Sequence, residues 1–360
     1  MTRRVAVVLF NLGGPDSPEA VRPFLVNLFT DPAILRVPGF VRPLLGRLIA
    51  WKRTKAAQEN YAIIGGKSPL RELTEEQAAA LEGVLNTAEP GDAYKCFVAM
   101  RYWKPFTEEA VAAVKQWGAE EILLIPLYPQ FSSTTTGSSI TEWNAECAKA
   151  GLSLPTSTLC CFHSDSGFAQ ATARMVEEAY DKARASLPAD VPLRVLFSAH
   201  GLPEVIVKSG DPYQWQVEQT MAAVVAAMNV PGLDHVVCYQ SRVTPQKWLG
   251  PSTDSEIERA AAEKVAVLIS PIAFVSEHSE TLVELDVEYR DHAEKLGIPG
   301  YFRVPAQNAD AGFIAALADL VRRTQHSART LCSFAGGRQC PRPHKDCPHG
   351  KANALQAKAA

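Results

Sequence analysis

No stretch of this chain holds the roughly 18 consecutive apolar residues that a membrane-crossing helix needs, so none is expected. Charge of one sign is not in excess either. The formal net charge is -3, and nothing in that balance calls for a nucleic-acid partner. There is no internal repeat and no low-complexity tract. The turn Gly13-Gly14-Pro15 lacks the third glycine of G-x-G-x-x-G, and its proline removes a backbone donor, which argues against a dinucleotide fingerprint. The start does not read as a secretion signal. Val5 to Phe10 is too short an apolar run, and Asn11-Leu12-Gly13-Gly14-Pro15 breaks it, so a first β-strand is expected there. Without such a signal, 8 cysteines point to a reducing, cytoplasmic setting, where clustered thiols bind metal more often than they pair.

What is present is core material: 360 residues, 47% hydrophobic and 21% charged, enough for one large or two medium domains. Short β-branched runs alternate with Ala-rich helical stretches. Strands are expected at Val5 to Leu12, Lys95 to Arg101, Glu121 to Leu127, Ser157 to Phe162, Leu193 to Ala199, His235 to Gln240, Lys264 to Ile269 and Gly300 to Val304. This alternation predicts an α/β fold with parallel sheets and right-handed crossovers. The eight strands divide into two four-stranded sheets flanked by helices. The expected domains are 1–162 with 306–330, then 163–305, with a cysteine-bearing extension at 331–360 whose end, Ala352 to Ala360, reads as a frayed tail.

Ser198-Ala199-His200-Gly201-Leu202-Pro203 places a histidine at the end of the strand-like run Leu193 to Phe197. In an open parallel sheet the carboxyl ends of strands face the ligand crevice, and a histidine there can accept a proton near neutral pH. A second histidine, His278, lies in Glu277-His278-Ser279-Glu280. On a continuous helix from Glu277 to Lys295, Glu277, Glu280, Glu284 and Glu288 would share one face. The approach through Ser270 to Ser276 aims its first acids into the crevice. Such a row could carry divalent cations inward or protons outward.

Cys332, Cys340 and Cys347 sit in a loop-like, Gly- and Pro-containing segment, separated by seven and six residues. Three thiols need a fourth partner, and adjacent Cys160 and Cys161 are the candidates. Four thiolates suit a [2Fe-2S] cluster, while His344 or His349 as substitute would suit zinc. Cys96, Cys147 and Cys238 read as structural. Arg53, Tyr61, Ser68, Arg101 and Tyr102 are candidate anchors for an acidic ligand. Ser132 to Ser139, hydroxyl-rich and leading into a helix, reads as a capping loop or an anion site. Pro32 to Trp51 is apolar, basic and helix-compatible: a core-facing amphipathic helix, or an exposed lip that touches a membrane or a greasy ligand.

These residues resemble the ferrochelatases over nearly the whole chain. The resemblance runs through Asn11-Leu12-Gly13-Gly14-Pro15, Tyr61 with Gly65-Gly66-Lys67-Ser68-Pro69, Met100-Arg101-Tyr102 and Tyr128-Pro129-Gln130-Phe131-Ser132. It continues through Ser198 to Pro203, Tyr239-Gln240-Ser241, Trp248-Leu249-Gly250-Pro251 and Phe274 to Asp286. It implies a class II chelatase fold, two Rossmann-like domains with a cleft between them. It implies insertion of Fe2+ into protoporphyrin IX to give protoheme with release of two protons, the terminal step of heme biosynthesis. By the same resemblance His200 is the catalytic histidine, and Glu280 and Glu284 form an acidic path with His278. His200 and Glu280 meet the Fe2+ substrate. Leu12, Arg53, Tyr61, Ser68, Arg101, Tyr102, Trp248 and Phe274 bind the porphyrin. Whether His200 binds metal, takes protons or does both stays open.

The segment 32–51 resembles the lip that admits porphyrin from the membrane surface, which implies a cytoplasmic protein peripheral to the inner membrane. A homodimer is compatible with the resemblance. Animal members place a cluster cysteine where Ser133 stands here, so the resemblance implies that Cys160 or Cys161 completes the [2Fe-2S] set with Cys332, Cys340 and Cys347. Three competing readings are a chelatase for coproporphyrin or sirohydrochlorin, a heme or porphyrin carrier without metal insertion, and a metal-cluster sensor module.

Overall fold

The computed structural model describes residues 2–88, 91–242 and 246–350; the tail expected to fray lies outside them. In chain order the elements begin with β1 (Arg3–Asn11), α1 (Val21–Thr30), α2 (Arg42–Ile63), α3 (Leu70–Ala88), β2 (Asp92–Met100), α4 (Thr107–Trp117), β3 (Glu121–Pro126), α5 (Thr136–Ala150) and β4 (Thr156–Leu159). They continue with α6 (Ser166–Ser186), β5 (Leu193–His200), α7 (Glu204–Lys208), α8 (Tyr213–Ala227), β6 (Asp234–Gln240), α9 (Thr253–Glu263) and β7 (Ala266–Pro271). Then come α10 (Ser279–Leu282), a π-helix (Glu284–Glu288), α11 (Tyr289–Lys295), β8 (Tyr301–Arg303), α12 (Ala311–Gln325) and β9 (Leu331–Cys332).

Two compact units result: Met1–Cys161 with Leu317–Gly336, and Phe162–Ala316 with the segment from Gly337 onward. Each is built on one parallel sheet, in the orders β2-β1-β3-β4-β9 and β6-β5-β7-β8. The first sheet thus carries a fifth strand beyond the four expected. Leu331–Cys332 pairs with Thr158–Leu159 over two residues, too short a run to show any periodicity in sequence.

β1 and β5 are apolar on both faces because helices cover both sides of each sheet, as parallel strands require. In the first unit Val8 and Phe10 pack with Val111 and Trp143. In the second, Val195 and Phe197 pack with Val217 and Val224, while Leu196 turns to Ile257 and Val267 on the other face. Chain direction across the second sheet reverses between β5, which leads to β6 on one side, and β7, which leads to β8 on the other. Such a switch point opens a crevice at the carboxyl ends of the two strands. His200 ends β5, and the segment holding Glu277 to Glu284 follows β7.

That segment differs from the sequence expectation. The continuous helix from Glu277 to Lys295 is instead one turn of α-helix, a π-helix and a further short helix. Val283 O accepts from Val287 N and Glu288 N, both at 3.0 Å, and Tyr289 N donates to Glu284 O, the i+5 step that inserts one extra residue. The expected four-carboxylate face is therefore broken. In the segment 32–51 only the part from Arg42 onward is helical, and α2 runs on to Ile63. The Arg42 guanidinium donates to Leu35 O at 3.1 Å and Val37 O at 2.9 Å, holding the preceding turns against the helix.

Candidate active site

His200 stands where the strand stops. Its Nδ1 lies 2.5 Å from Gly201 O. A carbonyl can only accept, so Nδ1 carries a hydrogen, and in the neutral imidazole Nε2 presents its lone pair. That Nε2 is 3.7 Å from Glu280 Oε1, with both side chains about one-third exposed (30% and 34%). Two acceptors face each other there, an arrangement that a proton or a metal cation would turn from repulsive to attractive. Tyr213 OH donates to His200 O at 3.0 Å and fixes the strand end. The Trp248 ring sits 6.3 Å from the imidazole, tilted by 53°. Gly201 permits this approach: a Cβ there would lie 2.9 Å from Gln240 O and 3.1 Å from the Trp248 ring. A pocket of about 220 Å³ opens beside them, lined by Gly201, Gln240, Arg242 and Trp248 among others.

His278 has a different task from His200. Its Nδ1 accepts from Glu280 N at 2.9 Å, capping α10. The hydrogen is therefore on Nε2. The Phe274 ring meets this imidazole edge-on at 4.5 Å. Burial lowers the His278 pKa below the usual histidine value, although the charges of Glu280 and Glu277 oppose that. A histidine held neutral in the fold stabilises it fully above its unfolded pKa of about 6.5, and that contribution is lost as pH falls through the lower folded value. His278→Asn keeps a capping oxygen and removes the titration. The expected result is a smaller drop in thermal midpoint than wild type between pH 8 and pH 5.5, read by circular dichroism. An equal drop would contradict the neutral cap.

Glu284 is gripped on both oxygens. Oε2 takes Gln240 Nε2 at 3.0 Å and the Ser241 hydroxyl, and Oε1 takes Tyr289 OH at 3.1 Å. Gln240 Nε2 also reaches Glu280 O at 2.9 Å, tying the two acids to the end of β6. Ser241 adopts φ 66°, a left-handed conformation that serine rarely takes, stored where its hydroxyl meets the acid. Burial first, then the charge of Glu280, raises the Glu284 pKa; Ser241 and Gln240 oppose the rise. Glu277 is separate from this pair: its carboxylate is buried against Arg303. Glu288 is exposed.

In the first unit Asp31 gathers three side-chain donors, Tyr102 OH at 2.8 Å, Ser138 Oγ at 2.7 Å and Arg101 Nη2 at 2.8 Å, besides Ala33 N at 2.7 Å. The Arg101 guanidinium lies 5.1 Å over the Tyr102 ring. Arg101 N and Tyr102 N donate to Asn11 O and Leu12 O, joining the ends of β1 and β2. Leu12, Tyr61 and Tyr102 share one apolar cluster with Phe24 and Phe29. Arg53 lies 6.0 Å over the Phe29 ring, and Ser68 is buried with its N bonded to Pro15 O. Sequence reading missed Gln240 as an individual partner, and it missed Ser241, Tyr213, Tyr289, Asp31 and Ser138. Of these, Gln240 and Ser241 lie in the Tyr239-Gln240-Ser241 motif and Ser138 in the hydroxyl-rich segment Ser132 to Ser139.

None of the eight cysteines forms a disulfide. In the first unit the Cys160 and Cys161 sulfurs are 3.1 Å apart beside Phe131, and Cys160 N donates to Cys332 O at 2.7 Å. In the second, Gln216 Nε2 lies 3.1 Å from Cys340 Sγ, and Cys347 is buried. Among the described residues, no group of three or more His, Cys, Asp or Glu is arranged to hold a metal ion. Burial pushes the Cys238 thiol up to about 12 and Cys147 to about 11, as suits structural thiols.

The ferrochelatase family model matches residues 4–325. Ferrochelatase of Caulobacter vibrioides (strain NA1000 / CB15N) is 51% identical over 348 residues, covering 97% of this chain and 98% of that one. Ferrochelatase of Hyphomonas neptunium is 50% identical over 353 residues, covering 98% and 96%. Among solved structures, the sirohydrochlorin chelatase SirB of Bacillus subtilis subspecies spizizenii matches with a TM-score of 0.51 at 13% identity, over 90% of this chain and 95% of that one, a likeness of fold. With its sheets, its strand-end histidine and these relatives, the chain belongs to the ferrochelatase family.

Proposed function

We infer that this chain inserts Fe2+ into protoporphyrin IX, giving protoheme and two protons. The observation that carries the reading is the His200 Nε2 lone pair facing the Glu280 carboxylate at 3.7 Å, at the switch point of the second sheet. His200 Nε2 takes the two pyrrole protons in succession as iron enters, handing on the first before it accepts the second. The imidazolium that forms is then stabilised by Glu280, which needs no reorganisation to meet it. The proton passes to Glu280 and on to Glu284. Burial and the Glu280 charge make Glu284 hold a proton more readily than an ordinary carboxylate. Its three neutral hydrogen-bonding partners fix its position in either protonation state. Glu280 also serves as the side-chain ligand onto which Fe2+ exchanges its water. Leu12, Arg53, Tyr61, Ser68, Arg101, Tyr102, Trp248 and Phe274 supply the porphyrin contacts, with Asp31 holding Arg101 and Tyr102 in place.

Two finer readings accompany this one. Phe40, Leu44 and Trp51 are 88%, 76% and 62% exposed, interleaved with Arg42 and Arg47, which supports contact between this lip and a membrane surface. No described helix is long and apolar enough to cross a membrane. Cys332, Cys340 and Cys347, with Cys160 or Cys161, would hold a [2Fe-2S] cluster, a one-electron centre. Support comes from five buried cysteines outside any disulfide, and from the backbone hydrogen bond of Cys160 N to Cys332 O. No step of iron insertion runs through this group.

The testing experiment is an anaerobic assay of Fe2+ insertion with protoporphyrin IX and coproporphyrin side by side. Turnover with protoporphyrin supports the reading. Turnover with coproporphyrin alone moves the substrate, and tight heme retention without insertion makes the protein a carrier. The absorption spectrum of the same preparation distinguishes a coloured iron–sulfur cluster from colourless zinc.

A further inference from the structure

We propose that Arg303 is a positioning residue for iron insertion: its guanidinium locks the rotation of the π-helix and so aims Glu284 at the site. Arg303 closes β8. It grips Asp286 with two parallel bonds, Nε to Oδ1 at 2.6 Å and Nη2 to Oδ2 at 2.7 Å, and reaches Glu277 Oε1 through Nη1 at 2.8 Å. Such a fork fixes orientation as well as distance. The Arg303 and Glu277 side chains are 11% and 10% exposed, so little solvent competes for these bonds.

Position explains the consequence. Asp286 and Glu284 are two residues apart on the π-helix and reach strands on opposite flanks of the sheet. Asp286 is held by β8 at one edge, and Glu284 by Gln240 at the end of β6 at the other. A π-helix is an intrinsically rare winding, and a slip back to i+4 bonding would rotate each side chain about the axis. With Asp286 clamped, that slip is opposed, and Glu284 stays on Gln240, Ser241 and Tyr289. The Tyr301 hydroxyl donates to Leu285 O beside the clamp, a second tie to β8. Arg303 therefore divides the acids of this segment. Glu277 and Asp286 are neutralised by it, while Glu280 and Glu284 keep their carboxylates for the reaction.

The inference rests on the reading that Glu284 receives protons during insertion. The test is a double-mutant cycle in single-turnover Fe2+ insertion with the full-length protein, using Arg303→Lys, Glu284→Gln and both together, with porphyrin affinity measured by fluorescence. Lysine keeps the charge and loses the fork. Expected are a 10–100-fold fall in insertion rate, on the order reached when a reacting group is misplaced, porphyrin affinity within about twofold of wild type, and a double variant no slower than the slower single one. Asp286→Asn provides the same readout from the other partner if Arg303→Lys folds poorly. A wild-type rate in both Arg303→Lys and Asp286→Asn, with Glu284→Gln impaired, overturns this inference alone. Additive losses overturn it too, because they show Arg303 acting elsewhere. A loss in Arg303→Lys with none in Glu284→Gln overturns it together with the proton-route reading.

Discussion

His200→Ala is expected to reduce Fe2+ insertion by about 10²–10⁴-fold, the range that general-base catalysis supplies, while the protein stays folded. The pyrrole hydrogens of the free macrocycle are very weakly acidic, so a base must be present at the moment the metal enters. In this chain the base we propose, His200, has a defined geometry. Nδ1 is used by Gly201 O, and Nε2 is the atom that faces Glu280. The fold survives because the His200 side chain is partly exposed at the strand end, and the β5 core of Val195, Leu196 and Phe197 is untouched. Circular dichroism melting and an anaerobic turnover assay check the two halves of the expectation. Near-normal turnover would remove the base assignment.

Glu280→Gln is expected to slow metal insertion by about 10²-fold, the low end of what loss of one charge-stabilising group at a reacting centre costs, with porphyrin binding nearly unchanged. The amide keeps the shape of the acid but cannot neutralise an imidazolium 3.7 Å away or accept its proton. It also relieves the repulsion that raises the Glu284 pKa. The carboxylate is about one-third exposed, so water partly compensates, and the effect stays below that of His200→Ala. Stopped-flow fluorescence separates the steps. Equal losses in porphyrin binding and metal insertion would argue against an acidic route.

Much of the fold was legible because its parallel strands are short β-branched runs buried on both faces, a pattern that sequence records directly. His200 was legible for the same reason: strand, histidine, glycine and proline lie in a row. The π-helix was not. Glu280, Glu284 and Glu288 are spaced by four, as a regular helix face would be, and nothing local marks an i+5 step. Arg303, the residue we propose to lock that turn, lies on another element and meets Asp286 only when β8 brings it there. Asp31 was hidden likewise, since a single aspartate acquires meaning only when Arg101, Tyr102 and Ser138 converge on it. β9 escaped because two residues carry no period. The roles of the two histidines separated only with the hydrogen bonds in view, one imidazole exposing Nε2 and the other using Nδ1 as a cap.

The claim that His200 Nε2 removes the macrocycle's hydrogens is tested most directly by single-turnover Fe2+ insertion in His200→Ala with exogenous imidazole. The expected result is a rate restored in proportion to imidazole concentration, rising with the basicity of substituted imidazoles, at unchanged porphyrin affinity. A variant that inserts iron at the wild-type rate without imidazole, or one whose deficit follows entirely from lost porphyrin affinity, would contradict it.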